Sequence, residues 1–210
     1  MTAPRGGVLG RAGLADPVFD AQALFRGVMQ AMARPGSCRR VPVAAEAPPP
    51  LQPAVAALAL ALLDADTALW LDPPLAAVAE VGAWLRFHTG TRVVVQPAAA
   101  GFALIADPAG LPPLDGFAQG NADYPDRSAT LLLQLDGLTG GLPLVLTGPG
   151  LAAPAQLAPW PLPPDFVARM AANRAGFPLG VDLILAAGDR VAALPRSTAV
   201  AAPVPASERG

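Results

Sequence analysis

Arg86 and His88 are the side chains of this sequence best suited to binding an anion. Both lie in the segment RFHTG, which ends a predicted helix over residues 75–87. An arginine fork and an imidazole that gains or loses a proton can together hold the oxygens of a phosphate or phosphonate. Basic side chains near a helix C-terminus also stabilise the negative end of the helix dipole, and we favour this structural role over ligand binding.

Asp182 is the one charged residue in an apolar run, residues 181–187, that is typical of a buried strand. The pair Gly188-Asp189 predicts a tight turn into a second strand over residues 191–194. A buried carboxylate needs a partner, and Arg196 directly follows this hairpin. We therefore favour a structural Asp182–Arg196 pair, holding the hairpin to a neighbouring strand, over a catalytic role.

The same side chains also allow a second function. In a stand-alone enzyme for a nucleotide or a phosphoester, a cleft would be lined by Arg26, Arg86, His88, Asp182 and Arg196. A serine nucleophile is not expected, because no serine lies in a G-x-S-x-G elbow.

The inventory of side chains restricts the chemistry further. All 14 basic residues are arginine, so a Schiff-base lysine and a P-loop lysine are both absent. Cys38 and His88 are the only residues of their types, which excludes an internal disulfide, an iron–sulfur cluster and a zinc site of two or three histidines. We expect this chain to hold neither a cofactor nor a metal.

Charge and hydropathy exclude two classes of partner. The net charge is −2 and no basic block is present, so a nucleic-acid interface is not expected. The longest apolar run, residues 54–63, is about half of what a membrane span needs. Residues 1–15 lack the apolar block of a secretory signal, so a cytoplasmic protein is predicted.

Gly148 begins the sequence GPGLAA, which fits the dinucleotide-binding pattern G-x-G-x-x-A after a predicted strand. That pattern needs a helix over its second half, where backbone N–H groups bind a pyrophosphate. Pro154 and Pro159 disfavour such a helix. We therefore favour a turn after an edge strand.

The elements that position these residues interleave helices with strands. Asp16-Pro17 predicts the start of a first helix, which Pro35-Gly36 ends. One apolar stripe of this helix is predicted from Val18, Ala21, Leu24, Phe25, Val28, Met29 and Met32.

Further helices are predicted at 53–63, 75–87 and 165–175, and strands at 37–43, 67–71, 92–96, 102–106, 129–136, 142–147, 181–187 and 191–194. This order predicts an α/β fold around a mixed sheet, with the hairpin at its centre. We expect one domain over residues 16–198, a flexible lead over 1–15, a long loop over 107–127, a proline-rich connection over 154–164 and a tail over 199–210.

Four sequence blocks resemble the H subunit family of the bacterial carbon–phosphorus lyase system. They are FDAQALFRGVMQAMARPG from Phe19, LRFHTG from Leu85 and LTGGLPLVLTGPG from Leu138. The fourth is FPLGVDLIL from Phe177 together with LPRST from Leu194. The resemblance extends over residues 18–198, and residues 107–127 differ most from the family pattern.

This resemblance implies a three-layer α/β/α sandwich similar to pyridoxal-phosphate-dependent transferases, without the cofactor. It implies a homodimer when the chain is alone, and a core complex with the G, I and J subunits. That complex forms α-D-ribose 1-methylphosphonate 5-triphosphate from ATP and methylphosphonate, and an iron–sulfur cluster in another chain then supports carbon–phosphorus cleavage. The chain would be a structural or accessory subunit of this transferase, without activity of its own.

Overall fold

The computed structural model describes residues 13–43 and 46–203, which form five helices and ten strands. The helices are α1 (Pro17–Ala33), α2 (Pro53–Leu62), α3 (Pro73–Ala76), α4 (Ala79–Thr89) and α5 (Phe166–Ala175). The strands are β1 (Arg39–Arg40), β2 (Ala68–Leu71), β3 (Arg92–Val93), β4 (Phe102–Ile105), β5 (Thr130–Gln134), β6 (Leu144–Thr147), β7 (Ala155–Leu157), β8 (Asp182–Ala187), β9 (Arg190–Leu194) and β10 (Ala199–Ala201). The predicted lead up to residue 12 and the predicted tail from residue 204 lie outside the described residues.

Seven of these strands form one mixed sheet in the order β1-β9-β8-β5-β4-β2-β3. The neighbours from β8 to β3 are parallel, and β9 is antiparallel to both β8 and β1. The prediction of an α/β fold with a mixed sheet is confirmed. The β8–β9 hairpin is confirmed too, with Gly188 at φ +58° in its turn. However, β5 occupies the middle position, so the hairpin lies one place from the centre.

Both faces of the large sheet are buried, and alternate residues of each strand enter different cores. In β5, Leu132 packs with α1, α2 and α4, whereas Leu131 and Leu133 pack on the opposite side of the sheet. That second core includes α5, the small sheet described next and the loop residues Leu111, Leu114 and Phe117. Burial on both faces explains why these strands read as continuous apolar runs.

Strands β6, β7 and β10 form a separate three-stranded antiparallel sheet, and two of them were not predicted. Strand β7 lies in the expected proline-rich connection, and β10 lies in the expected tail, so the prediction was wrong at residues 199–201. Each is only three residues long and carries little signal of its own. Pairing with the two edges of β6 is what makes them strands.

The first predicted helix forms as one continuous helix, whereas the third is interrupted. In α1, the Asp16 side chain accepts hydrogen bonds from the backbone N–H groups of Val18 and Phe19 at 3.2 and 3.1 Å, which confirms the predicted N-cap. The helix predicted over residues 75–87 is divided into α3 and α4, because Val78 adopts an extended conformation. Gly90 ends α4 at φ +75°, as predicted for a left-handed cap.

Candidate functional site

Asp182 and Arg196 form a mostly enclosed ion pair at one end of the β8–β9 hairpin. Arg196 Nη2 lies 2.5 Å from Asp182 Oδ2, and Arg196 Nε donates to Asp182 Oδ1 at 3.2 Å. The backbone N–H of Arg196 also donates to Oδ1, at 2.8 Å. The two side chains are only 14% and 15% exposed. The predicted pair is therefore confirmed, although it joins the two arms of one hairpin rather than the hairpin to another strand.

The remaining donors of Arg196 reach two loops. Arg196 Nη1 donates to the carbonyl oxygens of Pro125 at 2.7 Å and Pro178 at 3.4 Å. Pro125 belongs to the predicted long loop over residues 107–127, which contains three short 3₁₀ turns. The Arg196 guanidinium thus ties this loop to the sheet, and four of its hydrogen bonds are already made within the protein.

Arg86 and His88 lie in a different environment, on the last turn of α4. Arg86 is exposed to solvent. The His88 ring lies 4.6 Å from the ring of Trp84 and 5.1 Å from that of Phe87, measured between centroids. On another side, His88 lines a cavity of about 210 Å³ with residues of α1 and α2 such as Pro17 and Leu60. The structure therefore brings Asp182 and Arg196 together, and it gives His88 a separate set of neighbours.

Three other cavities of the described residues lie away from these side chains. The largest, about 350 Å³, is an apolar groove without an ionisable group in its wall; it is lined by Leu142, Leu144, Pro159, Trp160, Pro161, Leu162, Pro163, Pro164, Phe166 and Val167. A second, of about 200 Å³, includes Arg169, whose guanidinium donates to the Leu111 carbonyl and pairs with Asp165 at 2.8 Å. The third, of about 310 Å³, lies at the C-terminal end of α1. Arg26, Arg86, Asp182 and Arg196 line none of these four cavities.

Asp72 is a buried carboxylate with a raised pKa that the sequence did not identify as a candidate site residue. It is 2% exposed and follows β2. Oδ1 accepts from the N–H of Leu75 at 3.2 Å, and Oδ2 accepts from Ala106 at 2.7 Å and Asp107 at 2.9 Å. Burial raises the pKa of Asp72, against the opposing effect of these hydrogen bonds. Because all its partners are backbone groups, Asp72 holds α3 and the end of β4 together.

The outward side of α1 carries large apolar side chains. Val18, Phe19, Phe25 and Met29 are each more than half exposed, whereas Leu24 and Val28 are buried. The single apolar stripe predicted for α1 is therefore two stripes, one in the core and one facing solvent. We call the exposed set the outer face of α1. Arg26 lies within it and is also exposed.

Two absences hold for the part of the chain that the structure describes. No group of three or more His, Cys, Asp or Glu side chains there could hold a metal ion. Among the helices of the described ranges, none combines the length and the apolar character needed to cross a bilayer.

Comparisons with known proteins give a consistent result. A family model described as bacterial phosphonate metabolism protein (PhnH) matches residues 12–201. The PhnH subunit of alpha-D-ribose 1-methylphosphonate 5-triphosphate synthase from Rhizobium meliloti (strain 1021) is 45% identical over 184 residues, which are 88% of this chain and 92% of that relative. The putative C-P lyase subunit protein HtxG from Stutzerimonas stutzeri is 38% identical over 79 residues, 38% of this chain and 40% of that protein. The chain belongs to the PhnH family of bacterial phosphonate metabolism proteins.

Proposed function

We propose that this chain is a subunit of α-D-ribose 1-methylphosphonate 5-triphosphate synthase and acts in the catabolism of organic phosphonates. The carrying observation is the 45% identity to a PhnH subunit over 88% of the chain. In this role the chain supports the formation of that product from ATP and methylphosphonate. Its partners are the G, I and J subunits of the carbon–phosphorus lyase core complex, in the cytoplasm.

An accessory rather than a catalytic role agrees with the state of the candidate side chains. Asp182 and Arg196 satisfy each other and two backbone carbonyls, so their hydrogen-bonding capacity is largely used inside the fold. Arg86 is exposed on the last turn of α4, where the helix dipole accounts for a basic residue. Isolated protein incubated with ATP and methylphosphonate should therefore form no product detectable by ³¹P NMR, and turnover by this chain alone would overturn the accessory role.

We propose that the chain binds another subunit of the complex through the outer face of α1. Scattered single apolar residues on a surface need no explanation, but Val18, Phe25 and Met29 follow one another at helical spacing. Several exposed large apolar side chains on one side of a helix are typical of a surface that another protein covers. The relatives are themselves described as subunits, which favours a different chain as its occupant.

Co-purification tests this assignment. A tagged Phe25→Gln/Met29→Gln variant is co-expressed with the G, I and J subunits and compared with Val95→Gln, which alters a single apolar residue that is 87% exposed elsewhere. We expect the double variant to lose the sister subunits and the control to retain them, with the free energy of unfolding of both unchanged within about 0.5 kcal/mol. Full recovery of the complex by the double variant would contradict the assignment. Loss of self-association alone would give the face to a second copy.

Two finer properties complete the proposal. We propose a homodimer for the isolated chain, with a mass twice the 21.2 kDa of one chain in light scattering. We also propose that the fold is a three-layer α/β/α sandwich like that of pyridoxal-phosphate-dependent transferases, without the cofactor. Helices on both sides of the large sheet support this, and superposition on such a transferase, strand for strand, is its test.

A further inference from the structure

The cavity of about 310 Å³ at the C-terminal end of α1 is lined by Gln30, Ala33, Arg34 and Arg39. Arg34 is the C-cap of α1, and Arg39 is the first residue of β1. The turn between them therefore brings two arginines to the same wall as Gln30. The volume is at the lower end of the range of small-molecule sites.

Arg39 has a buried donor without an acceptor. Its Nε is shielded from solvent and makes no hydrogen bond. The side chains of Arg34 and Arg39 have neither a hydrogen bond nor an ion pair with any residue of the ranges 13–43 and 46–203. The dipole of α1 accounts for a basic residue at its end, but it leaves the Arg39 N–H unsatisfied. A buried N–H without an acceptor is unfavourable, and a bound oxygen atom would remove that cost.

The neighbourhood of this cavity is strongly positive. Within residues 34–40 and 189–190 there are four arginines, Arg34, Arg39, Arg40 and Arg190, and one acid, Asp189, which leaves a charge of 4 − 1 = +3. The register of β1 on β9 sets Arg40 opposite Arg190, and Asp189 pairs with Arg40 at 2.8 Å. The whole chain carries a charge of −2, so this excess is local. Such a field attracts anions.

We propose that this cavity binds a small phosphate-type oxyanion: inorganic phosphate, a phosphonate or the phosphate chain of a nucleotide. Arg39 Nε is the buried donor, and the guanidinium of Arg34 and the amide of Gln30 supply further donors from the wall. Arginine is suited to this ligand because its planar fork matches two oxygens of a phosphoryl group. The site lies outside the residues used for the assembly role and does not depend on it.

Isothermal titration of the full chain at low salt tests the proposal. Inorganic phosphate, methylphosphonate and ATP are titrated into the wild type, Arg39→Gln, Arg34→Gln and Arg92→Gln. Arg92 is the matched control, since it is an exposed arginine on β3, the opposite edge strand of the same sheet. We expect the dissociation constant of at least one of the three anions to rise tenfold or more in Arg39→Gln and Arg34→Gln, and to stay unchanged in Arg92→Gln.

The outcomes distinguish which kind of anion binds, and they test the anion site separately from the assembly role. Equal affinities for phosphate and methylphosphonate would show that the cavity binds a single phosphate or phosphonate group. A much higher affinity for ATP would show that it binds the phosphate chain of a nucleotide. Binding that is equal in all four proteins, or undetectable in the wild type, overturns the site. Circular dichroism controls for folding, and because Arg34 is exposed, its variant keeps the test valid if Arg39→Gln is unfolded. Co-purification with the sister subunits reports the assembly role independently.

Discussion

The guanidinium of Arg196 lies 2.5 Å from the carboxylate of Asp182, fourteen residues earlier in the chain, and both side chains are mostly shielded from solvent. The pair closes the open end of the β8–β9 hairpin. Through Pro125 it also fastens a loop that has little regular structure of its own. One side chain therefore connects the sheet to the loop over residues 107–127.

Replacing Arg196 with leucine should strongly destabilise the protein. The variant leaves the Asp182 carboxylate enclosed without its partner, which costs about 3–5 kcal/mol of unfolding free energy. The matched control is Arg40→Leu, because the Arg40–Asp189 pair has a similar distance of 2.8 Å but side chains that are 75% and 47% exposed. We expect the control to lose less than about 1 kcal/mol in urea unfolding. Equal losses in the two variants would show that enclosure of the Asp182 pair has no energetic consequence.

Replacing Asp72 with asparagine should lower stability in a pH-dependent way. An amide has one acceptor oxygen for the three N–H groups that the carboxylate binds, so each orphaned donor costs about 1–3 kcal/mol. Burial raises the pKa of Asp72 above the ordinary value of 3.8, so the folded state binds the proton more tightly than the unfolded state does. The stability that comes from this proton is present below pH 3.8 and is lost as the pH rises through the raised pKa.

Urea unfolding of the wild type and Asp72→Asn from pH 3.5 to 7 measures this effect. The stability difference, wild type minus variant, should shrink as the pH rises above about 3.8. A difference that grows over the same window would mean that the three backbone N–H groups lower the pKa of Asp72 more than burial raises it.

The elements that the sequence predicted well are those whose signals are local. The Asp16 cap, the Gly90 cap and the Gly188 turn each depend on one residue and its immediate neighbours. Strands β7 and β10, in contrast, exist because they pair with β6, and no pattern within three residues reveals that partner.

The residues of the candidate sites follow the same division. The Asp182–Arg196 pair was predictable, because a charge in an apolar strand requires a partner and Arg196 directly follows the hairpin that Asp182 begins. For α1, periodicity gave the helix but not its orientation, since Leu24 and Phe25 begin two apolar stripes only one position apart. The cavity at Arg39 depends on how β1 meets the end of α1. That is a tertiary arrangement, which local sequence does not specify.

Replacing Gly150 with alanine tests why the G-x-G sequence is present. Gly150 has φ +82°, and a Cβ built there lies 2.2 Å from the carbonyl oxygen of Ala33, the last residue of α1. The glycine therefore allows a loop to approach α1, and the segment that follows forms β7 rather than the helix that a dinucleotide site requires. We expect Gly150→Ala to lose more than about 2 kcal/mol of stability. Gly116→Ala is the control, because a Cβ there has open space, and it should change stability by about 1 kcal/mol at most.

The measurement for both glycine variants is denaturant unfolding, with dinucleotide binding as a second reading. NADH fluorescence should report no binding by the wild type. Binding that disappears in Gly150→Ala while its stability is retained would restore the cofactor interpretation of this loop.

The roles of Arg86 and His88 are decided by activity in the assembled complex. Arg86→Ala should leave product formation from ATP and methylphosphonate unchanged, because the exposed Arg86 side chain stabilises the C-terminal end of α4 through the helix dipole. Its removal should lower the free energy of unfolding by only about 0.3–1 kcal/mol. His88→Ala removes a ring that contacts Trp84 and Phe87, so its effect should appear in the melting temperature rather than in turnover. Product is followed by ³¹P NMR with complex reconstituted from each variant, and with Arg92→Ala as an exposed control. A tenfold fall in turnover for Arg86→Ala or His88→Ala, at an unchanged melting temperature and an intact subunit composition, would instead place that side chain against a phosphate or phosphonate oxygen.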